Sequence, residues 1–275
     1  MNNTPFSVCM SVYKNDKPDY LIEALDSLVN QTIFPDEIVL VEDGPITIDL
    51  EVVVQQYETK YPSIMNVVRC EKNGGLGYAL KLGVENAKYD IVARMDSDDI
   101  CLPDRFEKQL AYLEAHPECD IVGGQMTEFI DSPDNIVGRR TVPLTNDEIY
   151  DYMKSRCALN HVTVMFRKDA VLKAGNYQDW FWNEDYYLWV RMMMNKCVFA
   201  NISDVAVNVR SGADQYARRG GKKYFDSEIG IKKLMLKKGM ITNAQFLINY
   251  VQRLIIQLML PNSVRGWVLR TFARE

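Results

Sequence analysis

The stretch Ile91-Val92-Ala93-Arg94-Met95-Asp96-Ser97-Asp98-Asp99 sets a short apolar run directly against three carboxylates. An apolar run of this length reads as a buried strand, and the acids then mark its carboxyl end. The same rhythm recurs upstream. Phe6 to Val12, Ile38 to Val41 and Met65 to Val68 read as strands. Helix-period segments lie between them: one marked by Pro18-Asp19 with Leu21, Leu25 and Leu28 on one face, then Leu50 to Tyr57, then Leu76 to Ala87. Repeated βα alternation predicts a parallel α/β sheet whose ligands bind at the carboxyl ends of its strands. Downstream the pattern becomes mixed. Pro103 opens a helix carrying Phe106, Leu110 and Leu113, Ile121 to Ile130 reads as a long strand, and a Ser132-Pro133-Asp134-Asn135 turn leads into Val137 to Val142. From Tyr224 onward the pattern is helical, with Phe246 to Leu260, a Pro261-Asn262 break, and Val264 to Phe272.

Carboxylates packed as closely as Asp96, Asp98 and Asp99 repel one another, and a bound cation relieves the repulsion. Mg²⁺ or Mn²⁺ is typically held by one or two carboxylates together with substrate phosphates, so a D-x-D at a strand end suits a nucleotide-diphosphate site. An acidic turn capping the helix at Pro103 is the competing reading. Three more segments belong to the same edge. Val41-Glu42-Asp43-Gly44 ends the second strand, where a carboxylate can accept from a base or a ribose; a plain turn is the alternative. Ser11-Val12-Tyr13 ends the first, and Tyr13 offers a ring to pack on a base. Asn73-Gly74-Gly75-Leu76-Gly77 opens a helix, where backbone N–H groups can face a phosphate or ribose, although the order of glycines is not that of a dinucleotide fingerprint. Nearly ninety residues beyond the D-x-D, Trp180-Phe181-Trp182-Asn183-Glu184-Asp185-Tyr186 combines two carboxylates with aromatic faces of the kind sugars pack against. Helix capping by Asn183 or Asp185 is the structural alternative.

Taken in order and spacing, Ser7 to Tyr13, Val41-Glu42-Asp43-Gly44, Asn73-x-Gly75-Leu76, Asp96-Ser97-Asp98-Asp99 and Glu184-Asp185-Tyr186-x-Leu188-Trp189 resemble the motif series of family-2 glycosyltransferases with the GT-A fold, over residues 5–210. The resemblance implies an α/β fold with a mostly parallel central sheet flanked by helices. It divides the chain into a catalytic domain at 1–210 (nucleotide-binding half 1–99, acceptor half 100–210) and a basic helical extension at 211–275. It also implies roles. Ser11, Tyr13, Asp43, Asn73, Gly75, Arg94 and Asp96 would bind the nucleotide of a UDP-sugar, and Asp98 with Asp96 would hold Mn²⁺ or Mg²⁺. Asp185 would be the general base of an inverting transfer, with Trp182, Glu184 and His161 lining the acceptor site; a structural hydrogen-bonding role is the alternative for His161. Arg218 and Arg219 resemble the basic loop of bacterial members that build O-antigen or capsule units on a polyprenyl diphosphate, and would meet a diphosphate or lipid headgroup. Many relatives carry a His near Arg210-Ser211 that completes the metal shell; this chain has none there.

Bulk composition is consistent with this reading. The 275 residues, 47% hydrophobic, can bury a full core. Two histidines exclude a His-rich metal site. Six cysteines without a C-x-x-C pair argue against zinc or a disulfide framework, so reduced, mostly buried thiols are expected. No signal-like or membrane-spanning run is present, so a cytosolic protein is expected. The net charge of −5 is uneven: residues 1–209 carry 19 basic and 33 acidic side chains, residues 210–275 carry 13 and 4. A basic tail containing Leu254-Ile255-Ile256-Gln257-Leu258-Met259-Leu260 can lie on the inner leaflet, making the protein peripheral at the cytoplasmic membrane face, or can pack as an ordinary core helix. Nucleic acid is not among the expected partners. A sugar nucleotidyltransferase is the alternative enzyme, but the loop after the first strand lacks its glycines. A non-catalytic sugar or membrane adaptor on the same fold is the other alternative.

Overall fold

The computed structural model describes residues 4–212, 220–261 and 264–265. Its first half runs β1 (Phe6–Val12), α1 (Pro18–Val29), β2 (Glu37–Glu42), α2 (Ile48–Lys60), β3 (Met65–Arg69), α3 (Leu76–Asn86) and β4 (Ile91–Arg94). The four strands lie in the order β3-β2-β1-β4, all parallel. Their period-2 geometry sorts side chains to the two faces. Val8, Met10, Ile38 and Leu40 enter one apolar cluster, while Cys9, Val39 and Val41 enter the other. On the first face α1 contributes Leu21, Leu25 and Leu28, all fully buried, together with Leu50, Val53 and Val54 of α2. Each such leucine is worth about 1.5–3 kcal/mol of burial. Pro18 suits the first turn of α1 because its missing N–H is one of the donors a helix start leaves unpaired. On the second face α3 lies close against the sheet, and a Cβ at Gly83 would stand 2.1 Å from the Cys9 sulfur.

The second half follows with β5 (Ile100–Cys101), α4 (Arg105–Ala115), β6 (Ile121–Phe129), β7 (Ile136–Arg140), α5 (Asn146–Met153), β8 (Met165–Arg167), α6 (Lys168–Lys173), α7 (Glu184–Met194) and β9 (Phe199–Arg210). Strand β8 joins β4 antiparallel, β6 joins β8 antiparallel, β9 joins β6 in parallel and β5 returns antiparallel on β9; β7 forms a hairpin with β6. The sheet is therefore parallel through its first four strands and mixed beyond them. The two-residue β5, directly after the acidic cluster, pairs Ile100 with Asn208 and Cys101 with Val207, which brings the end of β9 back to Asp99. The helix expected at Pro103 begins at Arg105, and α7 begins at Glu184, three residues before Tyr187.

Helices α8 (Lys222–Lys237) and α9 (Asn243–Arg253) follow. Thr242 and Gln245 cap α9 reciprocally. The expected single helix from Phe246 to Leu260 changes to π winding at Leu254–Met259. Of the expected helix from Val264 to Phe272, all but Val264 and Arg265 lies outside the described residues. Among the described residues no helix is long and apolar enough to cross a membrane. All six cysteines are free, four of them buried.

Candidate functional site

Three strand ends and one helix start meet at the carboxyl edge of the parallel strands. After β4 the chain turns sharply, so Asp96, Asp98 and Asp99 offer carboxylate oxygens within 4.8 Å of one another. Asp99 is buried and its carboxyl is pushed well above the usual range, first by burial and then by Asp96 and Asp98. The Asp98 residue presents surface to solvent, yet its carboxyl sits in crowded company. Loss of solvent, then Asp96, then Asp16, push it up to about 6. Asp16 was not anticipated from sequence. It follows β1 by four residues, accepts from the Tyr13 amide at 3.1 Å and from the Ser97 hydroxyl at 2.8 Å, and so ties the β1 loop to the cluster. Its only sequence signal is position, an acid just beyond a strand end. The crowding of these carboxylates, with Arg94 on Asp96 the one lysine or arginine side chain paired with them among the described residues, fits a divalent cation held by Asp96 and Asp98 with Asp99 adjacent.

Arg94 lies beneath this cluster. Its side chain is 3% exposed and ion-pairs with Asp96, while its Nε and Nη1 have no hydrogen-bond partner among the described residues. It is thus buried behind Asp96, not laid open to a nucleotide as expected. Its charge acts on His161, Tyr177 and Glu184 as well as on the aspartates, so the end of β4 and the start of α7 lie in the field of one guanidinium. His161 shows the structural alternative. Its Nε2 meets the buried Tyr177 hydroxyl at 3.0 Å, and burial with Arg94 nearby holds its pKa well below the ordinary value. Its ring also packs edge-on to Trp189 of α7.

Where the resemblance would place a His that this chain lacks, Arg210 braces the acidic turn. Its backbone N–H donates to Asp99 Oδ1 at 2.8 Å and its Nε to the Asp98 carbonyl at 3.1 Å. Its guanidinium pairs with Glu23 and lies over the rings of Tyr20 and Phe129. The Arg210 side chain, a cation itself, offers no ligand to a cation at the cluster.

The Asp43 region also differs from expectation. Both Asp43 oxygens are engaged: Oδ1 accepts from the Gly74 amide at 2.7 Å, and Oδ2 from the Gly75 amide at 3.0 Å and the Asn73 side chain at 2.8 Å. The loop amides expected to face a phosphate point at Asp43 instead, because a buried carboxylate must be satisfied by donors at hand. Gly44, at φ +80°, permits the approach; a Cβ there would stand 2.5 Å from the Asn73 nitrogen. Asp43, Asn73 and Gly75 are therefore tied into one network at the end of β2. Ser11 is half-buried in register with Val41, and Tyr13 is exposed beside them.

At the far side, α7 presents Glu184 and Asp185 in its first turn, anchored by fully buried Leu188 and Trp189. Burial, then Asp185, push the Glu184 carboxyl up to about 7. Asn183 occupies the N-cap position, but its side chain accepts no hydrogen bond from the helix; its amide donates to the Ser227 hydroxyl at 3.1 Å. The preceding loop exposes Phe181 and Trp182, each close to half, and holds Trp182 at φ +59°, where a bulky residue is strained. A cleft of about 380 Å³ opens beside it, lined by Asp179, Trp180, Phe181, Lys223, Asp226 and Ser227. Arg218 and Arg219 lie outside the described residues.

The sequence model of glycosyl transferase family 2 matches residues 7–181. An uncharacterized glycosyltransferase of Haemophilus influenzae is 43% identical over 270 residues, covering 98% of this chain and 99% of that one. The amylovoran biosynthesis glycosyltransferase AmsE of Erwinia amylovora is 43% identical over 231 residues, 84% of this chain and 85% of its own length. The Escherichia coli UDP-Gal:alpha-D-GlcNAc-diphosphoundecaprenol beta-1,3-galactosyltransferase is 35% identical over 275 residues, covering 100% and 98%. Among solved structures, Staphylococcus aureus TarS 1–349 in complex with UDP-GlcNAc superposes with a TM-score of 0.67 at 18% identity, over 92% of this chain and 73% of that one. The mannosyltransferase PcManGT of Pyrobaculum calidifontis, in complex with GDP-Man and Mn²⁺, gives 0.66 at 15%, over 99% and 76%. At these identities the two structures establish the shared GT-A-type fold.

Proposed function

Because this chain belongs to glycosyl transferase family 2, we propose that it transfers a hexose or N-acetylhexosamine from a UDP-sugar, with inversion, to a sugar carried on a polyprenyl diphosphate during cell-surface polysaccharide synthesis. One observation supports the reading: the buried Arg94 ion-pairs with Asp96 of the aspartate cluster and its charge also reaches Glu184 at the start of α7. In this reading the aspartate cluster is the diphosphate-binding end and the Glu184–Asp185 pair the proton-accepting end. The names of two relatives, an amylovoran biosynthesis enzyme and a galactosyltransferase acting on a diphosphoundecaprenol-linked GlcNAc, support the donor and acceptor classes.

In this reading Asp185 takes the proton of the acceptor hydroxyl as that oxygen attacks the anomeric carbon opposite the departing UDP. Glu184 stands beside it and Trp182 offers a ring face to the acceptor sugar. Tyr13 packs on the base and Ser11 lies at its edge, while the Asp43–Asn73–Gly75 network keeps the end of β2 rigid. Asp96 and Asp98 would hold Mn²⁺ or Mg²⁺, which when bound supplies positive charge to the leaving diphosphate. Residues 1–210 form the catalytic unit and 211–275 an extension, with Arg218 and Arg219 assigned to a diphosphate or headgroup. The test is a screen of UDP-sugars with a synthetic polyprenyl-diphosphate-linked GlcNAc acceptor, the product linkage read by NMR. One UDP-sugar is expected to give a β-linked product, with turnover lost in EDTA and restored by Mn²⁺ or Mg²⁺. Turnover undiminished in chelator would remove the metal from the proposal, and an α-linked product would remove inversion.

A further inference from the structure

Helix α9 and the π-wound turn after it carry polar anchors toward the body and an apolar ridge away from it. Asn249, Arg253 and Gln257 recur every four residues on the side that faces the body. Asn249 is 5% exposed and its amide donates to the Lys154 carbonyl at 3.2 Å. Arg253 pairs with the buried Glu228 of α8 at 3.1 Å and donates to the Ser155 carbonyl at 3.0 Å. Gln257 is 3% exposed and its amide also donates to Glu228. The opposite side holds Leu247, Ile248, Val251, Ile255, Leu258 and Met259, each between 41% and 68% exposed. A helix packed on a water-soluble body carries its apolar stripe inward. Here the inward side joins these polar anchors to Phe246, packed on the core, and Tyr250, edge-on to Phe225, while a second apolar ridge faces out and gains burial only from something outside the described fold.

Charge identifies the occupant. From Ile229 to Arg274 the sequence contains eight lysines and arginines and no aspartate or glutamate; of these Lys232 and Arg265 are buried and Arg253 is paired with Glu228, which leaves the lysines of α8 as the exposed charge among the described residues. Lys233, Lys237 and Lys238, on the neighbouring α8, are exposed. We propose that this face docks the protein on an anionic lipid bilayer, with the ridge in the headgroup–acyl boundary and the lysines against the headgroups. A second copy of the chain is the other apolar partner available, but a two-fold contact through this face would set the same cationic flanks against each other. Docking stands apart from the transfer reading, and its test reads binding without turnover.

The full chain is floated with phosphatidylglycerol-containing vesicles and with phosphatidylcholine vesicles. It is expected to float with the anionic vesicles, less so as salt rises. The variant Leu247→Ser/Val251→Ser/Ile255→Ser is expected to lose about 30-fold in partitioning, since three exposed apolar side chains are removed, with its circular dichroism unchanged. Lys233→Glu/Lys237→Glu/Lys238→Glu, which leaves the ridge intact, is expected to abolish the preference for anionic vesicles. Flotation of the serine variant equal to the parent would overturn the proposal, as would a lipid-free dimer that the serine substitutions convert to monomer.

Discussion

Glu184 and Asp185 are consecutive in the chain, and the Asp185 charge weighs on how Glu184 titrates. Burial and the Asp185 charge hold the Glu184 carboxyl at about 7, so the pair retains a proton over a range where a free glutamate has already lost it. An activity that needs the unprotonated pair rises with pH through about 7. In Glu184→Gln the neighbouring carboxyl is gone, and the acid limb of the pH–rate profile is expected to move to lower pH; a profile superimposable on the parent would separate Glu184 from the titration. Asp185→Asn is expected to retain UDP binding in calorimetry and to lose transfer by at least about 100-fold, the scale of a positioned general base. Near-normal turnover would take the base role from it. These two acids were legible in the sequence by type and company. Asp16 was not, because its partnership with Ser97 spans residues that only the fold brings side by side.

At the scale of elements, the parallel strands and their helices could be read from apolar periodicity, since each has a full run of buried side chains. Strand β9 escaped: Asn201, Asp204 and Asn208 interrupt its twelve residues, and register shifts against β6 break the alternation. Strands β5 and β8, of two and three residues, are too short for any period to show. Yet β5 and β9 together position Arg210 on the acidic turn, which no motif predicted. The Asp43 network makes a prediction of its own. Asp43→Ala would leave the Gly74 and Gly75 amides without their acceptor, and a cost of about 2–4 kcal/mol is expected from denaturant unfolding. A loss below 1 kcal/mol would show that water replaces the carboxylate. The same variant is expected to weaken UDP binding by loosening the loop, whereas a direct base contact alone would leave stability unchanged.

Across the whole molecule, Lys232 of α8 joins the C-terminal helices to the catalytic body. It is fully buried, donates to the Lys154 carbonyl at 3.1 Å and meets the hydroxyl of Tyr186, the residue after Asp185. Burial lowers its pKa to about 7, against an ordinary value of about 10.4 for the unfolded chain. Between these values the unfolded state binds the extra proton, so the contribution of Lys232 to stability rises with pH, by up to about 1.4 kcal/mol per unit. Urea unfolding at pH 7 and pH 9 is expected to show that rise, and Lys232→Met to flatten it; an equal slope in the variant would place the titration elsewhere. Sequence by itself determined the family, the parallel half-sheet and the acidic and aromatic motifs, because these depend on local periodicity and on residue types that keep their chemistry in any setting. Tertiary structure alone decided that Asp43 holds a loop, that Arg94 lies buried behind Asp96, that Arg210 braces the metal-type turn and that α9 shows an apolar ridge to the outside. Each of those depends on which distant groups are close enough to bond or to exclude water, and one-dimensional spacing carries no information about that.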